Sequence, residues 1–140
     1  MQSNDRARLH SLYLATDYCV EDPRLRCVLT VDESSDALAD WLRAQGYDCA
    51  AFITAWNPRS EARPDAENWQ HMRELQQAIA DLELPALIAT GRSRVDAYAE
   101  PSLLVPGLSL ASAQALMQRF GQNACLWFAL ADGRARLEWQ

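Results

Sequence analysis

Apolar residues recur at different spacings along the chain, and each spacing predicts a different element. Near the start they recur at helical steps, which predicts a short amphipathic helix that gives way near Tyr18 to an extended segment. The residues with this spacing are Leu9, Leu12, Tyr13 and Thr16. Residues 25–31 first alternate with polar side chains and then become fully apolar, which predicts a strand.

Residues 32–46 carry the signals of a capped helix. Residues 32–35 offer N-cap side chains, and Gly46 is placed to end the helix. Its apolar stripe consists of Leu38, Trp41 and Leu42. A strand, a helix and a further strand are therefore expected in this order.

That further strand, at residues 51–56, is predicted to be buried and central because it is built of apolar and β-branched residues. Asn57 and Pro58 form a turn signal that ends it. Sites in α/β sheets usually lie at the carboxyl ends of strands. We therefore predict a site where this strand ends.

A long helix is predicted next, with Pro64 in its first turn. Its buried face is traced by Leu75, Ala78, Ile79 and Leu82. Asn68 precedes Leu75 by about two turns, so its amide is expected to point inward near the helix start. Two interpretations are open: the amide satisfies backbone groups of the preceding loop, or it contacts a ligand.

The rest of the chain predicts strands at residues 85–90, 102–105, 124–130 and 134–139. Ser109 and Gly121 are placed to begin and end a helix between the second and third of these strands. Asp132 and Gly133 form a strong hairpin signal, so the last two strands should be antiparallel. A basic loop is expected at residues 91–100.

Together these elements predict a single α/β domain over residues 1–140, in which helices cover a mixed sheet with a C-terminal antiparallel hairpin. Strands joined by a helix are expected to run parallel. Strand order does not follow from these patterns. The meeting of the polar residues in one place is therefore inferred from their positions at segment ends.

The acidic balance of the chain limits its partners. A net charge of −6 and a pI of about 4.8 argue against binding to duplex nucleic acid, which needs a basic surface. No apolar run approaches membrane-spanning length, and residues 1–6 lack the apolar core of a secretory signal. We predict a cytoplasmic protein without a membrane partner, whose oligomeric state is unknown.

Cysteine and motif patterns point to no metal and no cofactor. The four cysteines, Cys19, Cys27, Cys49 and Cys125, are widely spaced and are predicted to be reduced. Neither they nor the histidines form the close ligand pairs of a zinc site. The common nucleotide, metalloprotease and serine-hydrolase motifs do not occur in the sequence, which leaves open whether the protein is an enzyme.

Several sequence strings resemble one family. In chain order they are Phe-Ile-Thr-Ala-Trp-Asn-Pro at 52–58, Asn68, Glu-Pro-Ser at 100–102 and Phe-Gly-Gln-Asn-Ala at 120–124. On these strings the chain resembles the bacterial domain-of-unknown-function family 3293 over most of its length. Tyr98 and Ala99 stand where that family often carries a Trp before the Glu-Pro-Ser, a departure that concerns the packing of the loop. The resemblance implies an intact domain and brings no established reaction, cofactor or catalytic residue.

Amides dominate the polar side chains that interrupt the apolar segments. They bind through directed hydrogen bonds and do not ionise, so they suit recognition better than proton transfer. Glu100 is the one carboxylate among them that could act as a base. The predicted ligand-binding residues are Asn57, Arg59, Asn68, Arg92, Arg94, Glu100, Gln122 and Asn123.

Two hypotheses of function follow. The first is a pocket for a small anionic or nucleotide-like ligand, because guanidinium groups hold phosphate or carboxylate in paired hydrogen bonds. The arginines that suggest it are Arg59, Arg63, Arg92 and Arg94. The alternative is a protein-interaction or assembly module without a small-molecule ligand, in which Asn57, Glu100 and Asn123 lock loops together and some of the five tryptophans lie on the surface.

Asn57 has a role in both hypotheses, as a ligand-binding residue in the first and as part of the loop-locking network in the second. Pro58 is expected to restrict it to an extended conformation, and its amide is expected to be largely buried.

Overall fold

The computed structural model describes residues 3–140, which form four α-helices and a seven-stranded sheet. The helices are α1 (Ser3–Leu14), α2 (Asp36–Gln45), α3 (Asp65–Asp81) and α4 (Leu110–Phe120), with a 3₁₀ turn at Pro58–Ser60. The strands are β1 (Thr16–Asp22), β2 (Leu25–Leu29), β3 (Cys49–Ile53), β4 (Leu87–Ser93), β5 (Ala99–Pro106), β6 (Ala124–Ala129) and β7 (Ala135–Trp139). The predicted α/β class and the C-terminal hairpin of β6 and β7 are confirmed.

Both capped helices end where local signals predict. The side chain of Ser35 accepts a hydrogen bond from the backbone of Leu38, and Gly46 takes the left-handed conformation with φ of 83°. Ser109 caps α4 in the same way, and Gly121 ends it with φ of 65°. Pro64, in contrast, precedes α3 as its N-cap residue instead of lying inside its first turn.

The sheet has the strand order β2-β1-β4-β5-β3-β6-β7, and all six neighbouring pairs among the described strands are antiparallel. Strands joined by a helix do run in the same direction, since β3 and β4 are both antiparallel to β5. They are not neighbours, however, because each helical connection passes over at least one other strand. Among the described strands, the parallel pairs implied by a mixed sheet are therefore not formed.

The predicted basic loop at residues 91–100 is much shorter in the structure. Residues 91–93 belong to β4 and residues 99–100 to β5, so the connection between these strands covers only residues 94–98. β1 likewise starts at Thr16, which the helical spacing had assigned to α1. In both places cross-strand pairing extends the sheet beyond what the local sequence signals indicate.

Helices cover the two faces of the sheet in different ways. α3 and α4 pack on one face, where Leu75 and Met117 join a fully buried cluster with Val105. On the opposite face α2 buries Leu38 and Leu42 against one end of the sheet. α1 also lies over this second face, where Leu9 and Leu12 line one cavity together with Phe52 and Leu126.

α1 is held mainly by its contacts at two points. The guanidinium carbon of Arg6 lies over the ring of Trp139 in β7, 4.4 Å from the ring centre. The rings of His10 and Tyr13 pack edge-on against the same ring. At the other end of α1, the guanidinium of Arg94 donates to the carbonyl of Leu14. Leu9 is the one α1 side chain among the described residues that is fully buried, so the helix packs loosely between these two points.

No helix in residues 3–140 combines the length and apolarity needed to span a membrane. The four cysteines form no disulfide, and of these only Cys125 is fully buried.

Candidate functional site

A cavity of about 390 Å³ lies between α1 and the second face of the sheet, and we call it the α1 cavity. Leu9 and Leu12 of α1 form one wall, and Phe52 and Leu126 of the sheet form another. Polar groups are concentrated at the ends of β3 and β5. The α1 cavity therefore combines apolar walls with several polar groups.

Part of the α1 cavity lies beside a row of three residues that are paired across three strands, because the middle residue has no side chain. Tyr18 of β1 pairs with Gly91 of β4, which pairs in turn with Glu100 of β5. Residues paired across a sheet share a face, so a side chain at position 91 would project between the other two. A Cβ added to Gly91 would lie 3.7 Å from Cγ of Glu100 and 3.9 Å from Cγ2 of Thr16. The missing side chain of Gly91 thus creates part of the cavity.

Glu100 lines the α1 cavity with a carboxylate side chain. It is deeply set among neighbouring atoms, although the cavity leaves part of its surface accessible. The hydroxyl of Tyr98 donates to its Oε2 at 2.6 Å. Burial raises the pKa of this carboxyl above its ordinary value, and the hydrogen bond from Tyr98 lowers it in part.

Three tyrosines, Tyr13, Tyr18 and Tyr98, line the α1 cavity with Glu100. Burial raises the pKa of Tyr13 to about 12, and the negative charge of Glu100 adds to the increase. The pKa values of Tyr18 and Tyr98 are raised further, again chiefly by burial. All three phenols therefore remain protonated, and each can donate a hydrogen bond at neutral pH.

Asn57 links the end of β3 to the start of α3. Its backbone N–H donates to Oδ1 of Asn68 at 2.8 Å, and Nδ2 of Asn68 donates to Oδ1 of Asn57 at 2.7 Å. Nδ2 of Asn57 donates to the hydroxyl of Tyr98 at 3.1 Å, so a continuous chain of hydrogen bonds joins Asn68 to Glu100. Asn68 is completely buried, as its position on the inner face of the helix predicted.

The prediction that Asn57 is extended is wrong. Its φ of 46° and ψ of 67° lie in the left-handed region, not in the extended region that a following proline favours. Asn tolerates this conformation better than most residues. Its side chain also accepts from the backbone of Arg63, which supports the turn. Its side chain is partly exposed instead of largely buried, because Asn57 lies in the cavity wall.

Gln122 reaches the α1 cavity from the end of α4. It is 7% exposed, and its Nε2 donates to the carbonyls of Trp56 and Phe120 at 3.2 and 3.3 Å. Asn123 instead donates to Ser60 and lies with Arg59 in a separate, neighbouring hollow. The expected network of Asn57, Glu100 and Asn123 is therefore formed only in part: Asn57 and Glu100 meet through Tyr98, whereas Asn123 bonds elsewhere.

Arg92 and Arg94 do not line the α1 cavity. Arg92 pairs with Glu21 at 2.8 Å, and Arg94 pairs with Asp17 at 2.8 Å while holding the end of α1. Of the eight residues predicted to bind a ligand, Asn57, Glu100 and Gln122 line the cavity, and Asn68 lies buried directly behind Asn57.

One known family matches the part of the chain that contains most of the site. Residues 53–125 match the model of a family described as a protein of unknown function, DUF3293. The chain belongs to the DUF3293 family. No curated protein and no solved structure matches the chain.

The DUF3293 match includes the central residues of the site, namely Asn57, Asn68, Gly91, Tyr98, Glu100 and Gln122. α1 and β1, which contribute Tyr13 and Tyr18, lie outside the matched range. The side of the cavity formed by the ends of β3 and β5 therefore belongs to the DUF3293 region itself, and α1 closes it from outside that region.

Sequence reasoning missed Gly91 and the three tyrosines. The signal for Gly91 was a glycine flanked by residues suited to a strand, which marks a close approach of other groups. Tyr98 and Glu100 are separated by one residue, the spacing that puts two side chains on the same side of an extended segment. Both signals were obscured because residues 91–100 were interpreted as a loop.

Proposed function

We propose that this protein binds a small organic molecule in the α1 cavity. The observation that carries the proposal is Gly91, whose missing side chain leaves space between Tyr18 and Glu100 on the sheet face that lines the cavity. A cavity of about 390 Å³ is within the size range of small-molecule sites. Apolar walls with a few convergent polar groups are also typical of such sites.

The chemistry of the cavity favours a ligand without a phosphate group. Among the described residues, Arg8 is the one arginine that lines it, whereas Arg92 and Arg94 bind acidic side chains elsewhere. Phosphate sites usually offer several guanidinium or backbone donors. We therefore propose a ligand that can donate hydrogen bonds to Glu100, in place of an anionic ligand. A bacterial cytoplasmic setting remains part of the proposal.

The assembly alternative has weaker support. Trp69 is 48% exposed, but its ring packs edge-on against Trp56 at 5.0 Å, which assigns it a role within the chain. The hydrogen bonds of Asn57 and Glu100 gather at a cavity wall and do not lock the loop that carries Asn123.

Filling the α1 cavity from Gly91 tests the proposal. Wild type, Gly91→Ala and Gly91→Leu would be compared in a thermal-shift screen of neutral, cationic and anionic fragments. Because Gly91 does not need a positive φ and a Cβ there makes ordinary contacts, Gly91→Ala is expected to fold. Fragments that raise the melting temperature of wild type should act less on Gly91→Ala and not at all on Gly91→Leu. Equal stabilisation of all three proteins, or no stabilising fragment, would overturn the proposal.

A further inference from the structure

The carboxylate of Glu100 has no positive partner within the described part of the chain. None of the seven ion pairs found there includes it. The hydroxyl of Tyr98 donates a hydrogen bond to Oε2 of Glu100, whereas Oε1 accepts no hydrogen bond from residues 5–140. A buried carboxylate is normally paired or neutralised, because its desolvation is costly. The described residues of the α1 cavity therefore give this acidic group no balancing positive charge.

The groups around Glu100 suit a cation. Tyr13, Tyr18 and Trp56 line the same cavity, and aromatic rings attract ammonium groups through their electron-rich faces. Asp96 also lines the cavity, and the chain as a whole carries a charge of −6. Such a field raises the local concentration of cations.

We propose that the ligand of the α1 cavity is a small organic cation, such as a primary amine, whose charge is balanced by Glu100. This inference rests on the proposed function, because it names the ligand class of the same cavity. The ammonium group would donate to the free Oε1 of Glu100, and the apolar part of the ligand would lie against Leu12 and Phe52.

Arg8 is the feature that could favour an anion instead. It lines the α1 cavity on the α1 side, but it forms no ion pair with Glu100. An acidic ligand would have to place its charge near Arg8 while leaving Glu100 unbalanced. For that reason a cation fits the charges of the cavity better.

Three probes of similar size separate these cases: 2-phenylethylamine is a cation, 2-phenylethanol is neutral and phenylacetate is an anion. Their affinities would be measured by titration calorimetry with wild type, Glu100→Gln and the control Glu33→Gln, which removes a charge from an exposed loop before α2. The amine should bind wild type and Glu33→Gln about tenfold or more tightly than the alcohol, the difference expected for one buried charge pair. Glu100→Gln should remove this preference.

A pH series on wild type gives a second readout that needs no variant. Protonation of Glu100 at acidic pH should weaken binding of the amine while leaving the alcohol unaffected. The other ionisable groups facing Glu100 are Tyr13, Tyr18 and Tyr98, which stay protonated over this range because their pKa values are raised. Asp96 and Arg8 line the cavity without an ion pair to it.

The outcomes distinguish the two proposals. Equal affinity for amine and alcohol, tighter binding of phenylacetate, or a preference that survives in Glu100→Gln would overturn the cation inference and leave small-molecule binding intact. If the amine does not bind wild type, the cation inference is overturned, and small-molecule binding is then decided by the Gly91 series.

Discussion

Asn57 and Asn68 bind each other twice, backbone N–H to side chain at 2.8 Å and side chain to side chain at 2.7 Å. This pair joins the end of β3 to the first turns of α3 and thereby fixes one wall of the α1 cavity. Asn68 is completely buried, so its amide depends on protein partners instead of water for its hydrogen bonds. The pair is therefore expected to contribute to stability whether or not a ligand is bound.

Removing the amide of Asn68 should destabilise the fold. Asn68→Ala leaves the N–H of Asn57 without its acceptor, so we expect a loss of about 1–3 kcal/mol in the free energy of unfolding. Asn68→Asp keeps an acceptor but places a carboxylate against Oδ1 of Asn57 and the carbonyl of Arg63, and should lose more. Urea denaturation of the three proteins measures the order. A stability of Asn68→Ala equal to wild type would contradict the role given to the pair.

Asn57 combines a hydrogen-bonding role with a left-handed backbone. Asn57→Ala loses the side-chain bonds and also forces alanine into φ of 46°, whereas Asn57→Gly loses the bonds without that strain. We expect Asn57→Ala to be less stable than Asn57→Gly, with both below wild type. Thermal unfolding with and without a cavity ligand separates the roles, because a purely structural Asn57 lowers stability equally in both conditions. A reversed order of the two variants would show that the left-handed turn is not retained in solution.

Asp22 should make stability sensitive to acid. It is 2% exposed, and its carboxylate accepts hydrogen bonds from Arg24 and from the backbone of Ile88. The bond from Arg24 is the main cause that holds its pKa below the ordinary value of 3.8. Because the folded pKa is depressed, this stabilisation is present at neutral pH and is lost as the pH falls below about 3.8. Asp22→Asn should therefore cost about 1.5–3 kcal/mol at neutral pH and much less near pH 2. A pH-independent loss in denaturation experiments would show that the charge of Asp22 is not what stabilises the fold.

Glu100 should have the opposite dependence. Burial raises its folded pKa above 4.5, so the folded state holds its proton more tightly than the unfolded chain. The stability associated with the protonated form is complete below about pH 4.5 and is lost as the pH rises through the folded pKa. Relative to wild type, Glu100→Gln should therefore become more stable from pH 4 to pH 8. A difference that stays constant over this range in ligand-free protein would contradict the burial of the carboxylate.

α1 should depend on Trp139 for its position over the cavity. Trp139 contacts Arg6, His10 and Tyr13, three of the side chains that hold α1 to the sheet. Trp139→Ala should speed amide hydrogen exchange in α1 and leave β3 and β5 protected, because local contacts are lost while the central sheet is kept. Trp41→Ala, which alters the packing of α2, is the matched control. Unchanged exchange in α1 would mean that other contacts hold the helix.

Local sequence signals predict the parts of the fold that depend on neighbouring residues. Ser35 and Gly46 bound α2 as expected, and the spacing from Leu75 places Asn68 on the buried face of α3. These outcomes follow from hydrogen bonds and periodicity within one element.

The assembly of the site depends on pairing between distant segments, which no local pattern contains. Glu100 and Tyr18 line the same cavity because β5 and β1 both pair with β4, and the order of these strands is not encoded in any single element. Arg94 was expected to bind an anion, yet it holds the carbonyl end of α1, which is distant from it in sequence. Asn57 adopts a left-handed turn because side-chain bonds across the turn outweigh the preference set by Pro58.

Methyl-group NMR tests the central claim, ligand binding in the α1 cavity, most directly. Spectra of the isotope-labelled protein would be recorded during titration with 2-phenylethylamine. The methyl signals of Leu12, Leu126 and Leu137, which line the cavity, should shift in proportion to one another. The exposed methyls of Val28 and Ile88 lie away from the cavity and should not shift. Shifts confined to Val28 and Ile88, or no shift at the cavity leucines with any fragment that stabilises the protein, would contradict the account.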